Sequence, residues 1–213
     1  LFPGQGSQVV GMGADVFGAR PDLAETAQRI LGWDLAALCR EGPEESLTRT
    51  ERAQPALFTV AFALWEALAA RLDANPAGAA GHSLGEYTAL AAAGGFGFED
   101  GLRLVAARGR AMGEAAGAAP SGMAALLGAE LEAAEALAAA CRQAGGELWV
   151  ANVNAPGQVV LAGSREALAW AEAHAREHGV RRVVSLKVAG AFHTPLMAPA
   201  AGRLAEAVAA TSF

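Results

Sequence analysis

Ser83 lies between two glycines in Gly81-His82-Ser83-Leu84-Gly85, where a run of small residues gives way to an alanine-rich, helix-like pattern. The spacing is G-x-S-x-G, the strand-to-helix elbow whose tight glycines allow a strained turn that exposes the serine oxygen. With 7 serines and 26 glycines in 213 residues, chance alone gives about 0.1 such matches, so the flanking strand and helix carry the weight. A helix opening at Leu84 would aim free N–H groups and the positive end of its dipole at charge forming beside the serine. A glycine-lined turn around a buried serine is the structural alternative.

A serine hydroxyl needs a base, normally histidine, to become a nucleophile. The chain has four. His82 adjoins the serine and is expected to pack in the elbow or line the site. His174 and His178 fall on one helix, in a run that spells H-x-x-E-H, the inverted zinc-protease signature. No third ligand has an obvious claim, so a solvated helix face with His178 near its C-terminus is preferred. His193 stands in "GAFHTPL", a loop that can present a functional imidazole, and is favoured by elimination. The early glycines fail as a phosphate cradle: Val9 breaks G-x-G-x-x-G, and Met12 and Gly13 stand where a Walker loop needs Lys and Ser or Thr.

Elements must hold these residues. "LFPGQGSQ" reads as a strand end and tight loop, residues 54–72 as a buried core helix, residues 78–82 as a short strand, and 84–93 and 99–116 as helices. From Gly122 to Val188 the order becomes β-α-β-β-α-β, the ferredoxin-like pattern, and it closes on itself. The expected fold is α/β: a layered core carrying the nucleophile elbow, residues 1–119 and 189–213, with an inserted ferredoxin-like subdomain, residues 120–188.

Composition bounds the function. With 53% hydrophobic and 18% charged residues the chain is globular, and a net charge of −6 without a basic stretch argues against nucleic acid. The longest uncharged run, Leu148 to Ser164, is broken by Asn152, Asn154, Pro156 and Gln158, so no membrane span is expected. Cys39 and Cys141, each in a helical pattern, are expected to be reduced and buried, as in a cytoplasmic protein. The sequence starts at Leu1 without methionine; no leader is expected in it, and it is expected to be a fragment.

Four segments and one dipeptide, in order, resemble the malonyl-CoA:acyl carrier protein transacylases and the acyltransferase domains of fatty acid and polyketide synthases. They are "FPGQGSQ" (Phe2 to Gln8), "GHSLGEY" (Gly81 to Tyr87), "RGRAM" (Arg108 to Met112), "NAPGQVVLAG" (Asn154 to Gly163) and "FH" (Phe192, His193). The resemblance covers essentially the whole chain and implies an α/β core with a ferredoxin-like insertion. It implies that Ser83 accepts the acyl group, that His193 moves the proton, and that the Gln5 and Leu84 backbone N–H groups form the oxyanion hole. By the same resemblance Arg108 holds the malonyl carboxylate and Asn154 orders the site. A guanidinium suits that task because it stays charged and binds a carboxylate through two parallel bonds. Without the resemblance, Arg103, Arg108 and Arg110 could not be told apart, and an Asx-type turn before Pro156 accounts for Asn154 equally well.

Phe192 resembles the aromatic of malonyl-selective members, whose bulk leaves no room for a 2-methyl branch, although Gly190 departs from the usual opening of that motif. The implied reaction is ping-pong transfer of malonyl from malonyl-CoA through Ser83 to an acyl carrier protein, without metal or other cofactor, in the cytoplasm and in fatty acid biosynthesis. Three alternatives stay open: a polyketide synthase acyltransferase domain, a serine thioesterase or hydrolase on the same elbow, and a non-catalytic module that docks carrier proteins. Members of the family continue past the position of Phe213, with a segment whose backbone carbonyl orients the histidine.

Overall fold

A computed structural model describes residues 1–74 and 76–213. The chain divides into two compact units, one of residues 1–111 with 203–213, the other of residues 112–202.

The first unit is mainly helical. Short helices α1 (Ala14–Ala19), α2 (Pro21–Leu31), α3 (Leu35–Glu41) and α4 (Glu44–Thr48) lead into α5 (Thr50–Ala69). The sequence shows why two of them begin where they do: Pro21 occupies the first turn of α2, and the Asp34 side chain accepts from the Ala37 N–H to cap α3. Helix α5 is apolar nearly all round and is buried from Ala53 to Val60, as such a pattern requires. Phe58 stacks on Phe98 at a ring-centre distance of 5.9 Å and Phe62 meets it tilted at 5.2 Å, in a core that includes Leu35, Leu47 and Leu102.

Helix α6 (Gly85–Ala92) follows the elbow, and α7 (Phe98–Gly117) starts in this unit and ends in the second. Residues 78–82, expected as a strand, meet the opening residues in a single parallel bridge, Phe2 to Gly81. Two bonds hold it: the Phe2 N–H donates to the Ala80 carbonyl at 2.8 Å, and the His82 N–H donates to the Phe2 carbonyl at 3.0 Å. The ladder stops there: a further rung would need the Gly4 N–H on the His82 carbonyl, which instead accepts from the Gly85 N–H at 2.9 Å as Ser83 turns away with φ 51°.

In the second unit β1 (Ser121–Leu127), α8 (Leu131–Gln143), β2 (Leu148–Ala155), β3 (Gln158–Ser164), α9 (Arg165–His174) and β4 (Arg182–Ser185) follow in the β-α-β-β-α-β order. The sheet runs β2-β3-β1-β4 with every neighbouring pair antiparallel. Strand β3, buried on both faces from Val159 to Gly163, is central. The Ser164 hydroxyl ends it by accepting from the Ala167 N–H, which starts α9. Strand β4 is shorter than the stretch RRVVSLKV (Arg181 to Val188) suggests, because the Val188 N–H turns back to the Leu186 carbonyl at 3.0 Å. Helix α10 (Ala198–Ala209) returns the chain to the first unit, where Phe213 meets Phe96 edge to face.

Cys39 and Cys141 are free and buried. Among the described residues no helix is long and apolar enough to cross a membrane.

Candidate active site

The elbow is built by backbone contact. The Gly85 N–H donates to the His82 carbonyl at 2.9 Å and the Glu86 N–H to the Ser83 carbonyl at 3.2 Å, folding the chain from bridge into helix within one turn. A Cβ on Gly81 would collide with the Gly85 backbone, and one on Gly85 with the Phe2 carbonyl, so the motif's glycines are required by close approach. Ser83 itself holds φ 51°, a left-handed conformation costly for a non-glycine residue and typical of functional positions.

Leu84 is buried, and neither its N–H nor that of Gln5 donates to a partner among the described residues. Two donors left uncommitted near the serine turn suit a developing negative charge.

Arg108 differs from the other arginines of α7 in burial and partners. Arg103 is exposed and paired with Glu99 at 2.8 Å, and Arg110 is exposed. Arg108 is buried, and its Nη2 donates to Ser83 Oγ at 2.9 Å while its Nη1 donates to Gln54 Oε1 at 2.8 Å. Its guanidinium carbon lies 5.3 Å from the centre of the Tyr87 ring, within cation–π range. Burial pulls the Arg108 pKa down, against Tyr87 and the Glu86 carboxylate, which hold it up, and an arginine so placed stays charged. Burial also pushes the Tyr87 hydroxyl up, opposed by Arg108. Among the described residues Arg108 forms no ion pair. A buried cation touching a strained serine, with neutral acceptors only, is chemically able to receive a carboxylate.

In the second unit His193 is exposed and, like Ser83, takes a left-handed backbone, with φ 60°. Its neighbours anchor it: the Ala191 N–H donates to Ser121 Oγ at 3.2 Å, and the Thr194 hydroxyl donates to the Ala191 carbonyl at 2.7 Å. Phe192 is buried in a small cluster with Met123, Val160 and Ala162. Asn154 is exposed near the end of β2, ahead of the turn at Pro156 and Gly157. His174 is occupied otherwise than as a metal ligand: its Nδ1 lies 2.8 Å from the Trp170 carbonyl and its ring stacks on Trp170 at 4.0 Å. Among the described residues no three of His, Cys, Asp and Glu converge to hold a metal ion.

Thr50, Gln54 and Tyr87 touch this site and were given no role from sequence. Gln54 left one signal, a side-chain amide inside an otherwise apolar helical run.

Known proteins resemble the chain along its whole length. The acyl transferase domain model matches residues 1–212. The malonyl CoA-acyl carrier protein transacylase of Salmonella typhimurium is 43% identical over 218 residues, covering 100% of this chain and 70% of the relative. The polyketide biosynthesis protein ThaF of Burkholderia thailandensis is 48% identical over 200 residues, 92% of this chain but only 17% of the relative. A solved chain from a type II polyketide synthase acyl carrier protein in complex with its malonyl-transacylase superposes with a TM-score of 0.92 at 39% identity, covering 100% of this chain and 69% of that one. By its motifs, its fold and these matches, the chain belongs to the acyl transferase domain family.

Proposed function

We propose that the protein moves a malonyl group from malonyl-CoA, by way of an ester on Ser83, to the phosphopantetheine thiol of an acyl carrier protein. The observation that carries this is the buried Arg108 guanidinium donating to Ser83 Oγ at 2.9 Å with no carboxylate partner among the described residues. An acetyl or long-chain acyl group would leave that charge unmatched, whereas the free carboxylate of malonyl completes it.

Ser83 Oγ attacks the thioester carbonyl as its proton passes to His193, and a carbon–oxygen bond forms. The carbonyl oxygen takes the negative charge and is held by the Gln5 and Leu84 N–H groups at the positive end of α6. Collapse breaks the carbon–sulfur bond, and CoA leaves as a thiol with the proton from His193. The carrier thiol then gives its proton to His193, attacks the ester and takes the malonyl group, and the proton returns to Ser83. Asn154 helps to order the site near the nucleophile, and Phe192 supplies bulk against a 2-methyl branch.

The core is taken as residues 1–119 and 189–213 with residues 120–188 as its ferredoxin-like insertion, a division supported by the β-α-β-β-α-β order of the latter. The named activity of the Salmonella relative and the carrier complex of the solved neighbour support both substrate and partner. We place the reaction in the cytoplasm, in fatty acid biosynthesis. The similarity to ThaF supports a second setting, an acyltransferase domain within a polyketide synthase, with the same chemistry at Ser83.

Incubation with malonyl-CoA followed by peptide mass mapping tests the proposal. A malonyl ester on Ser83, absent from the Ser83→Ala protein, is expected; acylation elsewhere or none would overturn it.

A further inference from the structure

Gln54 is fully buried on α5, where an amide costs free energy unless both its ends are satisfied. Its Oε1 accepts from Arg108 Nη1 at 2.8 Å, and its Nε2 lies 3.5 Å from Gln5 Oε1. Gln5 Nε2 in turn donates to the buried Thr50 hydroxyl at 3.2 Å. The direction of this chain is set at one end. A guanidinium can only donate, so Gln54 must turn its oxygen to Arg108 and its nitrogen to Gln5, which then turns its own oxygen to Gln54 and its nitrogen to Thr50.

The backbone makes room for the contact. Gly109 follows Arg108, and a Cβ there would stand 3.0 Å from the Thr50 carbonyl oxygen and 3.2 Å from Glu51 Cα. A side chain at 109 would push α7 away from α5 and draw Arg108 off Gln54. The acceptor is also of a particular kind. A glutamate at 54 would pair with Arg108 and cancel its charge, whereas a neutral amide fixes the guanidinium and leaves the charge for an incoming carboxylate.

We propose that Gln54 is a positioning residue: it aims Arg108 at Ser83 without neutralising it and thereby sets the preference for carboxylate-bearing acyl groups. The inference rests on Ser83 as acyl acceptor and Arg108 as carboxylate anchor.

The test uses the full-length protein and compares single-turnover acylation of Ser83 by malonyl-CoA and acetyl-CoA in wild type, Gln54→Glu, Gln54→Met, Arg108→Met and the Gln54→Met/Arg108→Met double variant. Gln54→Glu is expected to lower the malonyl-to-acetyl ratio of kcat/KM at least about tenfold, with the acetyl rate within about threefold of wild type. Gln54→Met is expected to lower the ratio as well, and to lose most of that effect in the Arg108→Met background, since both act on one interaction. A general packing defect would slow both substrates alike. Equal losses for the two substrates, or a Gln54→Met effect undiminished without Arg108, would overturn the proposal. If Gln54→Met does not fold, Gln54→Glu, which keeps an acceptor for Arg108, decides alone. Wild type that takes malonyl on Ser83 with a ratio indifferent to residue 54 sinks this inference only; wild type that takes no malonyl there removes the parent function too.

Discussion

Replacing Arg108 by methionine separates selection from folding. The thioether keeps much of the apolar stem beside Tyr87 but removes the buried charge. Two effects on stability oppose each other. Gln54 Oε1 loses its donor, which costs about 1–3 kcal/mol for a buried acceptor, while the desolvation cost of the guanidinium disappears. The net change is expected within about 1 kcal/mol, a shift in Tm of only about 2–4 °C.

The effect on acyl selection is larger. A malonyl carboxylate on the guanidinium would make two charge-assisted bonds, each worth about 1.5–3 kcal/mol. Part is offset, because Nη2 already donates to Ser83 Oγ and must share or surrender that bond. A net loss of about 3–4 kcal/mol corresponds to roughly a hundred- to thousandfold in kcat/KM for malonyl-CoA, with acetyl-CoA little affected. Rapid-quench acylation with each thioester, alongside a thermal melt, measures both. A malonyl-to-acetyl ratio that falls less than about tenfold in a folded Arg108→Met protein would refute Arg108 as the anchor.

Other positions give independent checks. Gly85→Ala places a methyl against the Phe2 backbone and 2.9 Å from the Pro3 carbonyl oxygen, and is expected to cost about 3 kcal/mol or more, lowering Tm by about 6–12 °C, with acylation of Ser83 lost in the surviving fold. Burial, aided by Asp34, pushes the Cys39 thiol from an ordinary 9.0 up to about 12. Between those values the unfolded chain has released a proton that the folded chain keeps, so this contribution to stability is whole below pH 9 and is lost as pH rises through that range. Melts across alkaline pH should show Tm falling more steeply in wild type than in Cys39→Ala, and equal slopes would contradict this. Phe192→Ala is expected to admit methylmalonyl-CoA at the cost of about 3 kcal/mol of stability, given the burial of the ring; unchanged rejection of the branched thioester would remove Phe192 from selection.

Much of the fold was legible because local pattern and tertiary packing agree. The order from β1 to β4 follows from apolar runs bounded by Gly, Pro and Asn, and the end of β3 from a capping serine. Where they diverge, the cause lies in single backbone groups: the left-handed Ser83 cuts the expected strand pairing to one bridge, and the turn at Leu186 to Val188 shortens β4. The serine elbow was visible because its glycines are a local steric requirement. Arg108 was not separable from Arg103 and Arg110, which share its helix, because burial and contact with a residue 25 positions away distinguish it. Gln54 was less visible still, since its role comes from a partner 54 positions away.

The central claim is transfer, and it is tested by isolating the malonylated protein in full length and chasing it with phosphopantetheine-bearing acyl carrier protein or with buffer alone. The label is expected to pass to the carrier thiol, leaving Ser83 free, while the ester in buffer hydrolyses far more slowly. Free malonate appearing at the same rate with and without carrier would make the protein a hydrolase and contradict the account.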